Sequence, residues 1–232
     1  MPIKIFKPIG FTPLELINDY KKKYNISKLS FAGRLDPMAS GLMLLLEGDE
    51  CKKQLEYCGK DKIYEFKILY GFKTDSLDIL GFSKNIDLVK FNYKDLLGKS
   101  QQKYPIYSSK TLKLNGITKP LWYWEKRGLL DHSLIPQKEI EVYKMEKKDV
   151  KEYSNSEMKD IIFSRISKLS EKNKAKFRYY EIKKLWDENL EEERRYKVDT
   201  FKARVSSGTY IRGLCEKMGG VAFDINRIDI IF

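Results

Sequence analysis

Gly33-Arg34-Leu35-Asp36-Pro37-Met38-Ala39-Ser40-Gly41 is the stretch that decides how the rest of the chain reads. An aspartate set between a leucine and a proline, and bracketed by glycines, sits on a stiff turn. The proline fixes its own φ and biases Asp36 toward an extended backbone. A carboxylate held in that way is costly unless it has a partner or a task. Taken alone, an Asp-Pro pair is more often an Asx turn or a helix cap. On one side, Leu42 to Leu46 is apolar on both faces, the pattern of a buried strand. On the other, Thr12-Pro13-Leu14-Glu15 is a helix start. Thr12 caps, proline takes the first helical position and Glu15 closes a capping box. That helix is expected to end near Asn25, and Ala32 to Gly41 to form a shaped loop.

Further out, Ile63 to Tyr70 alternates, with Tyr64, Phe66, Ile68 and Tyr70 on one face, which specifies a strand and its register. Residues 101–135 are rich in Tyr, Trp, Lys, Pro and Gly, with little periodicity, and suit a protruding arm. Glu139 to Tyr143 is a short strand candidate. From about Met145 to Arg195 the composition turns to lysine, glutamate and arginine. Met158, Ile161, Ile162, Ile166 and Leu169 recur there at helical spacing behind Ser156 as a cap. A second helix is expected over Ala175–Glu193. The charges of this insertion read first as a solvated face. Phe201, Ala203 and Val205 alternate as a strand, Ile211 to Met218 is a helix stopped by Gly219-Gly220, and Val221 to Ile231 is a last strand. The sum is an α+β fold with a mixed or antiparallel central sheet and flanking helices.

Composition narrows the chemistry. The 232 residues are 42% hydrophobic and 13% aromatic, enough to bury a sizeable core. A net charge of +12 favours polyanions, either nucleic acid or an anionic surface. The longest apolar run, Leu42 to Leu46, is far short of the ~20 residues of a spanning helix. The first residues lack the apolar region of a secretory leader. Cys51, Cys58 and Cys215 have no metal-ligand spacing, and His132 is the single histidine. Zinc sites and Ser-His-Asp or Cys-His chemistry are therefore disfavoured. Carboxylates, tyrosines, lysines and arginines remain, in a reducing, cytoplasmic setting.

The stretch around Asp36 resembles the aspartate signature of pseudouridine synthases, and the segments around it are similar to the TruB branch. Lys7-Pro8-Ile9-Gly10-Phe11-Thr12 looks like that family's opening motif. Asp61-Lys62-Ile63-Tyr64, Tyr70-Gly71 and Thr74 to Gly81 look like its tyrosine strand and acidic turn. Gln102, Pro105, Tyr107-Ser108, Lys110, Gly116 and Lys119-Pro120-Leu121 are similar to its RNA-gripping arm. Ser207 to Leu214 looks like its last core motif. The motifs fall in the family's order from Lys7 to Leu214; the charged insertion lies outside them.

The resemblance implies the pseudouridine synthase catalytic fold, as a single domain over 1–232 with an RNA-gripping arm at about 102–135 and a helical insertion at about 147–193. It implies isomerisation of uridine to pseudouridine at position 55, in the T-loop of tRNA, by base flipping and with no cofactor or metal. Asp36 would be the nucleophile, acting at C1′, at C6 or on a 2′-proton. Arg212 would keep Asp36 ionised, and Tyr64 would stack on the target base and exchange a proton. Tyr210 and Leu214 would line the pocket, and Asp78 would accept hydrogen bonds from a flipped base. Lys7, Lys110 and Lys119 would join the substrate contacts, with Lys113, Trp122 and Trp124 on the arm closing over the loop. The implied partner is the tRNA T-arm and elbow, with no membrane and no guide RNA, and the enzyme is expected to be a monomer.

Two departures stand out. The family's histidine five positions before the aspartate is replaced by Phe31, which can stack or wedge but cannot exchange a proton. The chain also stops twenty residues after Arg212, where many relatives carry a further small RNA-binding domain, so a short form without a PUA-type domain is expected. The competing readings are a synthase acting on another RNA, a tRNA-binding chaperone without catalysis, and a general basic nucleic-acid binder.

Overall fold

The computed structural model describes residues 1–191 and 193–232. In chain order its main elements are β1 (Ile3–Lys7), α1 (Pro13–Tyr24), β2 (Leu29–Ala32), β3 (Ala39–Glu47), α2 (Gln54–Cys58), β4 (Asp61–Tyr70), β5 (Phe72–Thr74), β6 (Ser83–Asn85), β7 (Gly98–Lys103), β8 (Thr111–Leu114), β9 (Ile117–Pro120), α3 (Leu121–Glu125), β10 (Gln137–Tyr153), α4 (Asn155–Ile166), α5 (Glu171–Lys176), α6 (Tyr179–Asn189), β11 (Tyr196–Val205), α7 (Ile211–Lys217) and β12 (Gly220–Ile231). The α1 start follows its capping box: Glu15 N–H donates to Thr12 Oγ1 at 3.2 Å, and Thr12 N–H donates to the Glu15 carboxylate at 2.8 Å. Asn25, at φ 52°, ends the helix in the left-handed conformation that asparagine tolerates.

The central sheet runs β1-β3-β12-β4-β11-β10-β7, with β2 also paired to β3. Every pairing is antiparallel except β12 with β3, so the sheet is mixed. One edge of β3 is covered by β12 at Ala39–Gly41 and by β2 at Leu44–Glu47; β1 takes the other edge. This covering on both edges and both faces explains why Leu42 to Leu46 is apolar throughout. The loop between β2 and β3, residues 33–38, emerges where β12 gives way to β2. Gly41 is required there: a side chain would collide with the Arg227 backbone across the β3–β12 pair.

Two cores flank the sheet. On one face Tyr64, Phe66 and Ile68 of β4 and Phe201, Ala203 and Val205 of β11 pack against Ile211 and Leu214 of α7 and Met218 at its C-cap. On the other, Leu69 and Val198 pack against Met158 and Ile162 of α4 and Ile182 and Trp186 of α6. The charged segment expected as an insertion thus forms, in α4 to α6, an entire layer of the fold, with its apolar stripe buried and its charges outward.

Local expectations shift in places. The short strand over Glu139–Tyr143 is in fact β10, Gln137–Tyr153, whose second half is mostly exposed and so lacks the alternation that reveals a strand. Residues 147–153 of the expected insertion therefore belong to the sheet, and so do Gln102 and Lys103 of the expected arm, at the end of β7. Ser154, not Ser156, caps α4: Glu157 N–H donates to its Oγ at 3.3 Å, and the Glu157 carboxylate accepts its N–H at 2.7 Å. The single helix expected over Ala175–Glu193 is broken at Phe177–Arg178, where Arg178 adopts φ 57°. No described helix is long and apolar enough to cross a membrane.

Candidate active site

Leu35 and Met38 fix the Asp36 loop, because Leu35 is buried in one core and Met38 in the other. Ala39 N–H donates to Asp36 O at 3.0 Å, and Gly10 N–H donates to Pro37 O at 2.8 Å. The Asp36 side chain, 29% exposed, is left at the floor of a cleft. Its Oδ2 lies 2.8 Å from Nε of Arg212, which is 3% exposed. The approach is off the N–H axis, so this contact is an ion pair rather than an aligned hydrogen bond. Arg212 enters from the first turn of α7 and is held by two backbone carbonyls. Nη1 donates to Ser76 O, and Nη2 donates to Tyr107 O at 3.2 Å.

Asp78 is a second carboxylate at the same arginine. It is buried, with Oδ2 3.9 Å from Arg212 Nε. Its Oδ1 accepts from Ser76 Oγ at 2.7 Å and from Leu80 N–H at 2.9 Å. Burial pushes its pKa up to about 6; Asp36 adds to the rise and Arg212 opposes it. The arginine thus faces one half-open carboxylate and one buried, hydrogen-bonded carboxylate.

Two chambers meet at this pair. The inner one, about 210 Å³, is lined by Asp36 and Arg212 together with Tyr64, Tyr210, Lys62 and Arg227. Tyr64, 7% exposed, sits on β4 as the alternation requires. Tyr210 precedes α7, tied to Gln102 by hydrogen bonds of 2.9 Å in both directions. Burial, then the charge of Asp36, raises its phenol pKa. The outer chamber, about 270 Å³, lies across Asp36 and is walled by Asp78, Trp122, Lys126, Lys176, Phe177 and Arg178.

Asp36, Tyr64, Arg212, Tyr210 and Asp78 are therefore brought together and Trp122 of the arm reaches the outer chamber, whereas Leu214, Lys7, Phe31, Lys110 and Lys119 stand apart from the chamber walls. Leu214 lies fully buried in the core behind α7. Lys7 is also fully buried; its ammonium donates to Pro8 O at 2.9 Å and Phe11 O at 2.6 Å, and burial lowers its pKa to about 7. Phe31 sits on β2 beneath the guanidinium of Arg34, 5.5 Å from the ring centroid, and Arg34 in turn lines both chambers. Lys110, just before β8, lies over Tyr104, and Lys119, on β9, lies over Tyr123.

Three contributors escaped sequence reasoning. Arg227 of β12, 1% exposed, donates from Nε to Leu42 O at 2.6 Å and from Nη2 to Gly33 O at 2.7 Å, so it props the Asp36 loop from below. Lys62 lies in the inner chamber, and burial lowers its pKa to about 8. It is two residues from Tyr64 on one strand and so shares its face, a period-2 signal available in the sequence. The third is the insertion corner Lys176-Phe177-Arg178, which no local pattern points to.

The sequence matches the family described as TruB family pseudouridylate synthase (N terminal domain) over residues 21–162. It is 36% identical to the tRNA pseudouridine synthase B of Endomicrobium trichonymphae, over 47% of this chain and 50% of that protein. With the tRNA pseudouridine synthase B of Mycoplasmopsis pulmonis it shares 28% identity over 97% of this chain and 67% of that protein. The chain spans about half the length, or less, of the first of these curated relatives. Among solved structures, a Cbf5-Nop10-Gar1 complex superposes with a TM-score of 0.56 at 17% identity, over 99% of this chain and 48% of that one, a likeness of fold alone.

Proposed function

We propose that this chain, which belongs to the TruB family of pseudouridylate synthases, isomerises uridine to pseudouridine in the T-loop of tRNA, at position 55. The observation that carries the reading is the Asp36–Arg212 pair, 2.8 Å apart at the floor of a cleft that also holds Tyr64. The tRNA names of the relatives support the substrate. The reaction breaks the C1′–N1 bond and forms a C1′–C5 bond; C5 gives up a proton and N1 gains one. Asp36 is the carboxylate at the sugar or base, whether it attacks C1′ or C6 or takes a 2′-proton. Arg212 sets a fixed positive charge 2.8 Å from that carboxylate and orients it. Tyr64 stacks on the extruded base and serves the proton transfer, with Tyr210 lining the same chamber.

In this reading residues 1–232 act as one catalytic domain, a monomer in the cytoplasm that needs no guide RNA. Lys110 and Lys119, on the β8–β9 arm, reach the phosphates around the flipped nucleotide, and Arg34 over Phe31 faces the loop from the other rim. Extrusion of the uridine costs a few kcal/mol, and these contacts repay it. The test is to map pseudouridine in tRNA and ribosomal RNA after incubation with the purified protein. Modification of the T-loop uridine of tRNA is the expected result. No modification, or modification confined to ribosomal RNA, would overturn the reading.

A further inference from the structure

Arg212 is held by two segments that lie outside the main sheet. One is the turn carrying Ser76 and Asp78; the other is the root of the arm at Tyr107. Both must stay in place for the guanidinium to aim at Asp36. We infer that Arg178, in the helical insertion, is a positioning residue that ties these two segments together and so fixes the catalytic pair. The inference rests on the proposed reaction.

Arg178 Nη1 donates to Asp75 Oδ2 at 2.8 Å, and Asp75 Oδ1 accepts Phe82 N–H at 2.8 Å across the same turn. The guanidinium carbon lies 4.0 Å from the ring centroid of Phe82 and 4.9 Å from that of Tyr107. One side chain therefore touches the turn through Asp75 and Phe82 and the arm root through Tyr107. The backbone carbonyl of that same Tyr107 accepts from Arg212. A planar cation packed against two rings and paired with a carboxylate is held in one orientation. Burial, and after it the charge of Asp75, pushes the Tyr107 phenol up to about 12.

Arg178 also has φ 57°, a left-handed conformation that costs an L-residue and that glycine would adopt freely. The strain makes the corner that points this side chain at the turn. The helix after the corner grips the same turn and the strand that follows it: Trp186 Nε1 donates to Ile79 O at 2.9 Å, and Asn189 Nδ2 donates to Ser83 O, at the start of β6, at 2.9 Å. Gly81 leaves no slack, because a side chain there would strike Ser76 and Asp75. The insertion thus braces the element that presents Ser76 and Asp78 to Arg212.

Arg178 also faces the outer chamber beside Lys126 and Lys176, so direct contact with an RNA phosphate is the rival reading. The test compares Arg178→Ala and Arg178→Lys with the unmodified full chain by single-turnover pseudouridine formation at saturating enzyme, tRNA affinity, and amide hydrogen exchange without RNA. A brace predicts that Arg178→Ala lowers the saturated rate by about tenfold or more, as small misplacements of reacting groups do. Affinity should stay within about twofold. Exchange should quicken at Leu80, whose N–H bonds to Asp78, and at the β12 residue Ala222, whose N–H bonds to Leu77 O, but not elsewhere in the strands. Arg178→Lys, which keeps the charge for Asp75 but not the planar packing, should fall between. Weaker binding with an unchanged saturated rate, or unchanged exchange at those amides, would overturn the inference. If the unmodified protein fails to modify tRNA, the proposed reaction fails, while the exchange result still decides whether Arg178 braces the turn.

Discussion

Replacing Arg212 with methionine keeps most of the buried stem and removes the charge. The pair with Asp36 at 2.8 Å has a gross Coulomb attraction of about 6 kcal/mol at an effective dielectric constant of 20. Breaking a buried pair costs about 3–5 kcal/mol, and the lower end applies here because the 29% exposed Asp36 is rehydrated from the cleft. Asp78 adds a dependence on pH. In the native chain it holds its proton up to about pH 6, against 3.8 unfolded, because burial outweighs the pull of Arg212. Without Arg212 its folded pKa climbs further. At pH 5 Asp78 is neutral in both proteins and contributes nothing to their difference. At pH 8 it is ionised in the native chain, and the variant must either protonate it or bury a bare charge. Each further unit of pKa then adds about 1.4 kcal/mol to the penalty. Denaturant unfolding should therefore show a loss of about 3 kcal/mol at pH 5 and a larger loss at pH 8. Single-turnover rates should collapse at both. A loss below about 1 kcal/mol that does not change with pH would refute the geometry of the shared arginine.

Asp36→Asn should reduce single-turnover pseudouridine formation by roughly 10³-fold or more while tRNA affinity changes little, as for a group that acts only in the transition state; ordinary turnover would remove Asp36 from the chemistry. In Asp78→Asn the raised carboxyl pKa disappears. The native chain should therefore lose about 3 kcal/mol relative to the variant as pH rises from 4 to 7, the window between 3.8 and about 6, read from paired unfolding curves. Parallel curves would show that Asp78 ionises normally. Affinity for tRNA should drop at least about tenfold between 50 and 200 mM salt as phosphate contacts release counterions; a flat response would mean that the +12 charge is not spent on RNA.

What could be read in advance follows physical rules of different range. The capping box at Thr12, the alternation of β4 and the all-apolar run of β3 are local patterns, and each produced the expected element. The meeting of Asp36, Tyr64 and Arg212 came from family motifs, since no local rule links position 36 to position 212. Asp78 shows the limit of that route. It stands at the site, but its Oδ1 is already occupied by Ser76 and Leu80, and only the fold reveals that it shares Arg212. Lys7 and Leu214 are part of the same motifs yet are fully buried behind the cleft, so a motif position marks a role in the site's construction as readily as a contact with substrate. The exposed half of β10 was hidden because charged residues on a solvated strand carry no periodic signal.

The insertion is the part least legible from sequence, and its place in the fold bears most directly on Asp36. Its helical spacing revealed an apolar stripe but not the surface that stripe would meet. That surface is the second core, where Met158, Ile162 and Trp186 lie with Met38, two residues beyond Asp36. Leu35, one residue before it, is anchored in the first core with Tyr64 and Leu214. The Asp36 loop is therefore strung between two hydrophobic layers, and one of them is built largely by residues outside the family motifs. Truncating Trp186 would then do more than open a cavity under a peripheral helix pair. It would also free the Ile79 carbonyl and loosen the wall against which Met38 rests, so the loss should register at Asp36 as well as in the melting temperature.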